Sequence, residues 1–455
     1  LNVISRWKDS MVYPDQAALE AGSDFRQKIL ANLYTLYQQR LKTANAVDFD
    51  DIILLTVELF TNFPDVLDHY QNLFKYILVD EYQDTNQMQF ELVRLLSQKY
   101  GNLCVVGDDD QSIYKFRGAT IENILSFEKN FQGAKVVRLE QNYRSTQHIL
   151  DAANGLIQNN RGRKGKRLWS DQGEGEKVKL FRCRDDYEET AVVLDQIHQN
   201  CAQQIPLKEQ AILYRMNAQS GQIEKRLVQA GIAYQIVGGT KFFDRKEIRD
   251  VLAYFHVMDN PADEVRLRRI INEPKRGIGN TTVAAIEQLA RQTGATMMEV
   301  IRNADQYALL SKRAGALLGF ARLMDELTDL AARLPLEELL DELMERTGYR
   351  TALEGEGVEG QVRLENIEEL KSNLVNYQEE QGEEGDLSGF LEEVSLYTDL
   401  DRMNQEEDKI TLMTVHAAKG LEFGAVYLIG MEESIFPSSS ATLSEEELEE
   451  ERRLA

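Results

Sequence analysis

Short apolar runs, most of them ending in a polar cluster, recur along much of the chain. They occupy residues 76–79, 103–106, 136–137, 211–214, 410–415 and 425–429. Continuous apolar runs of this length, alternating with helical stretches, are typical of a parallel sheet that is covered on both faces. The pattern therefore predicts an α/β protein. Because such sheets bind ligands beyond the carboxyl ends of their strands, the polar clusters are the first candidates for a functional site.

Two regions lack these strand-like runs. Residues 1–46 are predicted to be helical. Between residues 263 and 408 the apolar residues take up helical spacing, as in the series Phe320, Leu323, Leu327 and Leu330. Apolar residues at this spacing form the buried face of an amphipathic helix. The pattern predicts an all-helical insertion whose leucines pack in a core.

The composition is that of an ordinary globular protein. The chain has 455 residues, of which 43% are hydrophobic and 28% are charged, so it is not a disordered or low-complexity scaffold. Its apolar runs are far shorter than the ~20 residues of a membrane helix, which predicts no membrane association. Three cysteines without metal-ligand spacing predict neither a disulfide framework nor a zinc site, and they favour a reducing cytoplasm.

The net charge of −24 would by itself argue against a nucleic-acid partner. However, residues 351–408 hold eighteen acidic and three basic residues, a net charge of −15, so most of the excess lies in one stretch. Basic residues gather instead at positions 161–167 and 266–276. Each basic cluster is either a solvated surface, which is the commoner case, or a nucleic-acid contact.

The strongest local motif is Ile77-Leu-Val-Asp80-Glu81-Tyr-Gln-Asp84-Thr-Asn86. An apolar strand here delivers two adjacent carboxylates to its carboxyl end. Such a pair suits nucleotide hydrolysis, because one carboxylate can hold Mg²⁺ on the phosphates while the other accepts a proton from the attacking water.

A second predicted strand ends in Val106-Gly107-Asp-Asp-Asp110-Gln111-Ser-Ile-Tyr114-Lys-Phe116-Arg117-Gly118. The aspartate triplet, residues 108–110, is a candidate for a hard-cation site, although consecutive side chains point in different directions. Gln111 can donate to or accept from a γ-phosphate. Tyr114, Phe116 and Arg117 are suited to stacking on single-stranded DNA.

These two segments, together with Leu139-Glu-Gln-Asn142-Tyr143-Arg144-Ser145 and Thr414-Val-His416-Ala-Ala-Lys419-Gly420-Leu-Glu422-Phe423, match ordered helicase motifs. The chain resembles the UvrD/PcrA/Rep family of superfamily one DNA helicases, and within it the PcrA branch. The resemblance implies two RecA-like parallel-sheet core domains of the P-loop NTPase type, with helical insertions. The implied domains are residues 1–46 (part of an insertion), 47–136 (first core), 137–262 with 409–455 (second core) and 263–408 (an insertion that contacts duplex DNA).

The resemblance also implies roles for nucleotide-binding residues. Asp80 would coordinate Mg²⁺, Glu81 would be the catalytic base, and Gln111 would contact the γ-phosphate of ATP and orient the water. Tyr143 would stack on the adenine, Arg144 would act as an arginine finger, and Glu422 would bind the ribose. His416 and Lys419 would couple the nucleotide to DNA.

For DNA, the family pattern implies contacts by Tyr114, Phe116, Arg117, Arg215, Asn217 and the segment from Gly238 to Arg245. Phe116 stands where a tryptophan is common in the family. Arg276-Gly277-Ile-Gly279-Asn-Thr281 resembles a glycine turn that binds duplex DNA, in which small residues let backbone amides approach phosphate. The implied partners are single-stranded DNA and junctions of single- and double-stranded DNA, with repair or replication proteins as further candidates.

No G-x-x-x-x-G-K-[ST] phosphate loop occurs in the sequence, and both ends of the chain are interpreted as cut. This predicts weak ATP hydrolysis by the isolated chain, because that loop supplies amides and a lysine for the phosphates. The predicted parent is a 3′→5′ ATP-dependent DNA helicase of the bacterial cytoplasm, associated with the nucleoid. Two alternatives stay open, a metal-dependent nuclease and a non-catalytic DNA-binding protein.

Overall fold

The computed structural model describes residues 2–382, 385–403, 408–439 and 441–455. These residues form two compact units. The first contains residues 1–179 and 436–455, and the second contains residues 180–435. The predicted domain boundaries separate core domains from insertions, which is not the division into these two compact units, and they stay predictions.

The first unit consists of ten helices and four short strands within the described residues. The helices are α1 (Asn2–Asp9), α2 (Pro14–Glu20), α3 (Phe25–Thr43), α4 (Phe49–Asn62), α5 (Pro64–Leu73), α6 (Gln87–Ser97), α7 (Glu122–Leu125), α8 (Phe127–Asn130), α9 (Gln147–Ile157) and α21 (Glu445–Leu454). The strands are β1 (Ile77–Val79), β2 (Leu103–Val105), β3 (Gln141–Asn142) and β4 (Trp169–Ser170).

The strands of the first unit pair in parallel. Strand β1 lies beside β2, with Ile77 opposite Leu103 and Val79 opposite Val105, and β3 lies beside β4. The strand predicted at residues 136–137 was wrong, because residues 134–140 are irregular and the strand begins at Gln141. Val137 is exposed there. The β-propensity of two adjacent valines does not produce a strand by itself, because it depends on packing against neighbouring side chains.

The second unit combines a four-stranded parallel sheet with a large set of helices. Its strands are β5 (Gln210–Tyr214), β6 (Tyr234–Ile236), β7 (Ile410–Thr414) and β8 (Ala425–Leu428), in the spatial order β6-β7-β5-β8. Its helices are α10 (Asp186–Ala202), α11 (Ser220–Gln229), α12 (Lys246–Asp259), α13 (Glu264–Ile270), α14 (Asn280–Thr293), α15 (Met297–Arg302), α16 (Ala314–Ala331), α17 (Leu336–Thr347), α18 (Tyr349–Glu354), α19 (Val358–Gln381) and α20 (Leu387–Met403).

Two cores stabilise the second unit. One lies on the sheet and includes Ile212, Tyr214 and Leu412. The larger core is formed by helices α12 to α20 and includes Phe320, Leu327, Leu339 and Leu343. The core packing predicted for the leucines of the helical region is therefore confirmed where the structure describes them.

The prediction of a mixed α/β protein with parallel sheets and many helices is confirmed. Residues 2–43 are helical apart from short connections, as predicted. Within the described residues, no helix is both long enough and apolar enough to cross a membrane.

Candidate functional site

Strands β1 and β2 bring two of the predicted motifs to one edge of the first unit. The amide of Val106 donates to the carbonyl of Val79 (2.8 Å), and the amide of Tyr82 donates to the carbonyl of Val106 (2.9 Å). Asp80 and Glu81 follow β1, and the loop from Gly107 to Gln111 follows β2. The acidic pair and the glutamine loop are therefore neighbours.

Glu81 has an unusual backbone conformation. Its φ of 49° and ψ of 41° lie in the left-handed region, which non-glycine residues rarely adopt and which occurs often at functional sites. The conformation turns the chain sharply after Asp80, whose Oδ1 accepts a hydrogen bond from the Glu81 amide (2.9 Å). Asp80 and Glu81 both remain exposed at the strand end.

Gln83 connects the acidic pair to the glutamine loop. It is fully buried. Its Nε2 donates to Glu81 Oε2 (2.5 Å), and its Oε1 accepts from the amide of Asp108 (2.8 Å). At Gly107 a Cβ atom would lie 2.6 Å from Gln83 Oε1 and 2.9 Å from Ile124 Cδ1, so glycine is required for this close approach.

Gln111 ends a single 3-10 turn, Asp109–Gln111, that Asp108 caps. The Asp108 carboxylate accepts from the Asp110 amide at Oδ1 (2.9 Å) and from Gln111 Nε2 at Oδ2 (2.8 Å). A continuous set of hydrogen bonds thus runs from Glu81 through Gln83 and Asp108 to Gln111.

The aspartate triplet is paired with the basic cluster at residues 161–167, which we call the basic loop. Arg163 forms a two-pronged contact with Asp110 (Nε to Oδ1 2.9 Å, Nη2 to Oδ2 2.6 Å). Lys166 contacts Asp108, and the amide of Lys164 donates to Asp109 (2.7 Å). The alternative of a solvated surface holds for Arg161 and Arg167, which are exposed. It does not hold for Arg163 and Lys166, whose partners lie about fifty residues away, where sequence spacing cannot reveal them.

Within the described residues, no group of three or more histidine, cysteine, aspartate or glutamate side chains is arranged to hold a metal ion. The triplet carboxylates are instead neutralised by basic side chains and backbone amides. The nuclease alternative relied on this triplet together with Asp80 and Glu81, and the pairing of the triplet with basic groups does not support it.

Tyr143 and Arg144 also lie in the first unit, directly after β3. The Asn142 side chain accepts from the amides of Arg144 (2.9 Å) and Ser145 (2.8 Å), which fixes the turn. Tyr143 is 70% exposed, and its hydroxyl donates to Gln141 (3.1 Å). The turn thus presents an aromatic ring and a guanidinium group at the surface.

Tyr114, Phe116 and Arg117 form one cluster. The two rings lie 6.0 Å apart at 60°, and the Arg117 guanidinium lies 5.2 Å from the Tyr114 ring and 5.4 Å from the Phe116 ring. Phe116 is 64% exposed. Gly118, with a φ of 86°, ends the short helical turn that presents them. An exposed phenylalanine and a half-buried tyrosine beside a cation are suited to stacking on bases.

In the second unit, three loops meet at the carboxyl edge of the sheet. Tyr214 lies opposite Thr414 in the β5–β7 pair, so Arg215 and Asn217 emerge beside His416. A Cβ atom at Gly238, after β6, would lie 3.7 Å from Ala417. The predicted DNA residues of these loops are therefore brought together.

Arg245 occupies a different position, because its side chain is buried. It donates to Asn366 Oδ1 (2.8 Å), to Ser220 Oγ (2.7 Å) and to the Asn217 carbonyl (2.9 Å). It lies 3.9 Å from buried Glu224, and burial raises the pKa of Glu224. We call this set the Arg245 network.

The predicted glycine turn connects α13 and α14. Arg276 points inward, donating to the carbonyls of Ile270 (3.0 Å) and Glu273 (3.2 Å) and to Tyr254 Oη (2.6 Å). Gly277 has a φ of 73°, and Gly279 precedes α14 as its N-cap. Lys275, Gly277 and Gly279 are exposed. Thr281 lies in the first turn of α14.

Glu422 is exposed in the connection between β7 and β8. Lys419 directly follows the 3-10 helix Val415–Ala418 in the same connection. Their predicted roles stay predictions.

Comparison with known proteins identifies the family. A model of the UvrD/REP helicase N-terminal domain matches residues 1–132, and a model of the UvrD-like helicase C-terminal domain matches residues 137–455. The chain belongs to the UvrD-like helicase family. It is 46% identical to the ATP-dependent DNA helicase PcrA of Bacillus subtilis (strain 168) over 463 residues, which cover 100% of the chain and 62% of that protein. It is 44% identical to the PcrA helicases of Leuconostoc citreum and Staphylococcus aureus (strain Mu50), with the same coverage.

In this member of the UvrD-like helicase family, two residues that shape the site have no role in the predictions from sequence. Gln83 lies inside the first motif without an assigned role, although a polar residue between two acids after a strand is a signal for a functional position. Glu449 is the second residue: it is buried and accepts a hydrogen bond from the amide of Arg161 (2.6 Å). No signal in the sequence distinguishes Glu449 from its exposed acidic neighbours.

Proposed function

We propose that this chain carries the ATP-hydrolysing and DNA-gripping surfaces of an ATP-dependent DNA helicase that moves 3′→5′ on single-stranded DNA. The observation that carries the proposal is the hydrogen-bonded series from Glu81 through Gln83 and Asp108 to Gln111. It holds a carboxylate and an amide, the two groups that position an attacking water, at the carboxyl edge of a parallel pair of strands.

In the proposed reaction, Glu81 accepts a proton from the water that attacks the γ-phosphate of ATP, and the bond from the γ-phosphorus to the β-phosphate oxygen breaks so that ADP leaves. Gln111 orients that water, and the hydrogen bond to Gln83 holds the Glu81 carboxylate in place. A positioned base contributes about 10²- to 10⁴-fold in rate. Arg144 would offset charge on the transferring phosphoryl group, and exposed Tyr143 would stack on the adenine, with Glu422 on the ribose.

Asp80 is the residue that would hold Mg²⁺. An exposed carboxylate at a strand end fits this ion, which usually takes one or two carboxylates together with substrate phosphates and water. The bound ion would neutralise charge on the β- and γ-phosphates.

For DNA, we propose that the cluster of Tyr114, Phe116 and Arg117 stacks on bases. Base stacking on aromatic side chains is worth about 1–3 kcal/mol per base and does not depend on sequence, as a moving enzyme requires. Arg215, Asn217 and His416 would contact the strand from the carboxyl edge of the sheet in the second unit. Lys419 would couple that contact to the nucleotide.

At the glycine turn, we propose that backbone amides near Gly277 and Gly279, with Thr281 and Lys275, contact the phosphates of duplex DNA. Arg276 would then act by holding the turn in shape, since its guanidinium group already bonds to carbonyls inside the unit. The substrate would be a junction of single- and double-stranded DNA.

The test is ATP hydrolysis by the full-length gene product, with and without a single-stranded oligonucleotide. We expect strong stimulation by DNA and a fall of about hundredfold or more in kcat for Glu81→Gln. Glu91→Gln is the matched control, because Glu91 pairs with Arg94 at the surface of α6. Strand displacement from substrates with a 3′ or a 5′ tail tests the direction. DNA binding without hydrolysis would instead establish the non-catalytic alternative.

A further inference from the structure

The basic loop contacts all three aspartates that precede Gln111. Arg163 holds Asp110, the Lys164 amide holds Asp109, and Lys166 holds Asp108, with a second contact to Asp110 at 3.5 Å. The side chains of Arg163 and Asp110 are only 14% and 12% exposed. The pairing is therefore shielded from solvent more than an ordinary surface ion pair, which contributes little.

One of these contacts leads directly to Gln111. The Asp108 carboxylate receives Lys166 and the Asp110 amide at Oδ1, and Gln111 Nε2 at Oδ2. A carboxylate held at one oxygen cannot rotate freely, so its other oxygen presents a fixed acceptor. Lys166 thus acts on Gln111 through Asp108, although it lies more than fifty residues away in the sequence.

The basic loop is itself held at both ends. At its start, Glu449 on α21 accepts from the amides of Arg161 (2.6 Å) and Gly162 (3.4 Å). At its end, Asn154 on α9 exchanges two hydrogen bonds with the backbone of Leu168 (2.8 and 3.1 Å). A loop anchored in this way can hold its cations in place at low entropic cost.

We infer that Lys166, supported by Arg163, is a positioning residue that sets the orientation of the Gln111 amide during ATP hydrolysis. The inference rests on the proposed function of Gln111. The basic loop belongs to the segment that the C-terminal family model matches, and the loop that carries Gln111 belongs to the segment that the N-terminal model matches. If Lys166 positions Gln111, the first segment directly influences the second. Both loops lie in the same compact unit.

A glutamine side chain has several rotatable bonds, and holding it in one rotamer removes an entropic cost from the reaction. Without Lys166 the Asp108 carboxylate keeps only the Asp110 amide at Oδ1. It is then held less firmly, so the Gln111 amide samples more orientations. An interaction that matters only in the transition state lowers kcat and leaves KM nearly unchanged.

The test compares Lys166→Met with Lys164→Met in the full-length gene product, under saturating single-stranded DNA. Both changes remove one positive charge from the same loop, but the Lys164 ammonium pairs with Glu128 (3.0 Å) rather than with the triplet. We expect Lys166→Met to lower kcat about tenfold, with KM for ATP changed less than about twofold. Lys164→Met should keep the kcat of the unmodified protein.

A double-mutant cycle with Gln111→Ala separates positioning from a general loss of structure. If Lys166 acts through Gln111, adding Lys166→Met to Gln111→Ala should change kcat less than about twofold. Lys166→Arg, which keeps the charge, should restore most of the activity. An unchanged or increased kcat in Lys166→Met, or fully additive losses in the double variant, would overturn the inference.

Failure of this inference is distinguishable from failure of the proposed function. If Gln111→Ala and Glu81→Gln both leave hydrolysis intact, the proposed function itself fails. If those variants lose activity while Lys166→Met does not, only the role of Lys166 fails. Should Lys166→Met not fold, Arg163→Lys carries the test: it keeps the charge, loses the two-pronged geometry, and should lower kcat about threefold.

Discussion

Both units use an arginine-centred network to hold a predicted functional loop, but the two networks differ in burial. The basic loop and the aspartate triplet lie partly open to solvent, with Lys166 and Asp108 exposed by 16% and 25%. In the Arg245 network the side chains of Arg245 and Glu224 are 8% and 4% exposed. A partly solvated network can be rearranged at small cost, whereas a buried one cannot lose a partner without leaving a dehydrated charge.

The difference indicates distinct purposes. In the first unit, the ion pairs orient side chains around the proposed reaction and contribute little to stability. In the second unit, Arg245 ties the start of α11 to α19 through Ser220 and Asn366. That link fixes the sheet loops relative to the helical part of the unit.

The largest expected loss of stability is that of Arg245→Met. Removing the guanidinium group leaves Glu224 and Asn366 buried with fewer partners, so the free energy of unfolding should fall by about 3–5 kcal/mol. Chemical denaturation monitored by circular dichroism measures it. Arg249→Met, at an exposed position of α12, the helix that begins directly after Arg245, should cost less than about 0.5 kcal/mol. Equal losses in both variants would remove the distinction between the networks.

The second prediction separates two neighbours in the glycine turn. Arg276→Met should lower stability by about 2 kcal/mol, because the charged hydrogen bonds to buried carbonyls are lost. Lys275→Met should leave stability unchanged and weaken binding to duplex DNA, with a shallower dependence of affinity on salt. Fluorescence anisotropy with a labelled duplex checks this. Unchanged duplex affinity in Lys275→Met would count against the phosphate contact.

For the first unit a smaller effect on stability is expected. Arg163→Met should lower the free energy of unfolding by about 1 kcal/mol, since its contact with Asp110 is only partly shielded. Lys115→Met removes an exposed pair with Glu446 and should cost almost nothing. Thermal unfolding of both variants tests this; a loss as large as that of Arg245→Met would show that the first network is structural.

The last prediction concerns the pH dependence of stability that arises from Asp9 on α1. Burial and the nearby Asp50 carboxylate raise the pKa of Asp9 to about 6, and Asn86 Nδ2 donates to it (2.7 Å). Because the folded-state pKa lies above the unfolded value, this contribution to stability is present at low pH and is lost as the pH rises through about 6. Asp9→Asn should therefore stabilise the protein by about 1 kcal/mol at pH 8 and by less at pH 5. Denaturation at both pH values checks the sign.

Several features were predictable because they depend on local pattern. The strands at residues 77–79, 103–105, 210–214, 410–414 and 425–428 followed from apolar runs, and their carboxyl ends carried the motifs. The strand predicted at residues 136–137 failed because β-propensity reflects packing that the sequence does not contain. The pairing of the basic loop with the triplet was not predictable, because it joins segments that are distant in the sequence.

The sequence by itself determined the family, the mixed α/β class and the identity of the candidate catalytic groups, because motifs and periodicity are local and specific. The tertiary structure alone decided which charges are neutralised, which arginines are buried, and that Gln83 and Glu449 hold the site together. Those properties depend on which segments meet and how much water they exclude. Since the energy of a charge depends mainly on its partners and its solvation, no count of charges along the chain could have supplied them.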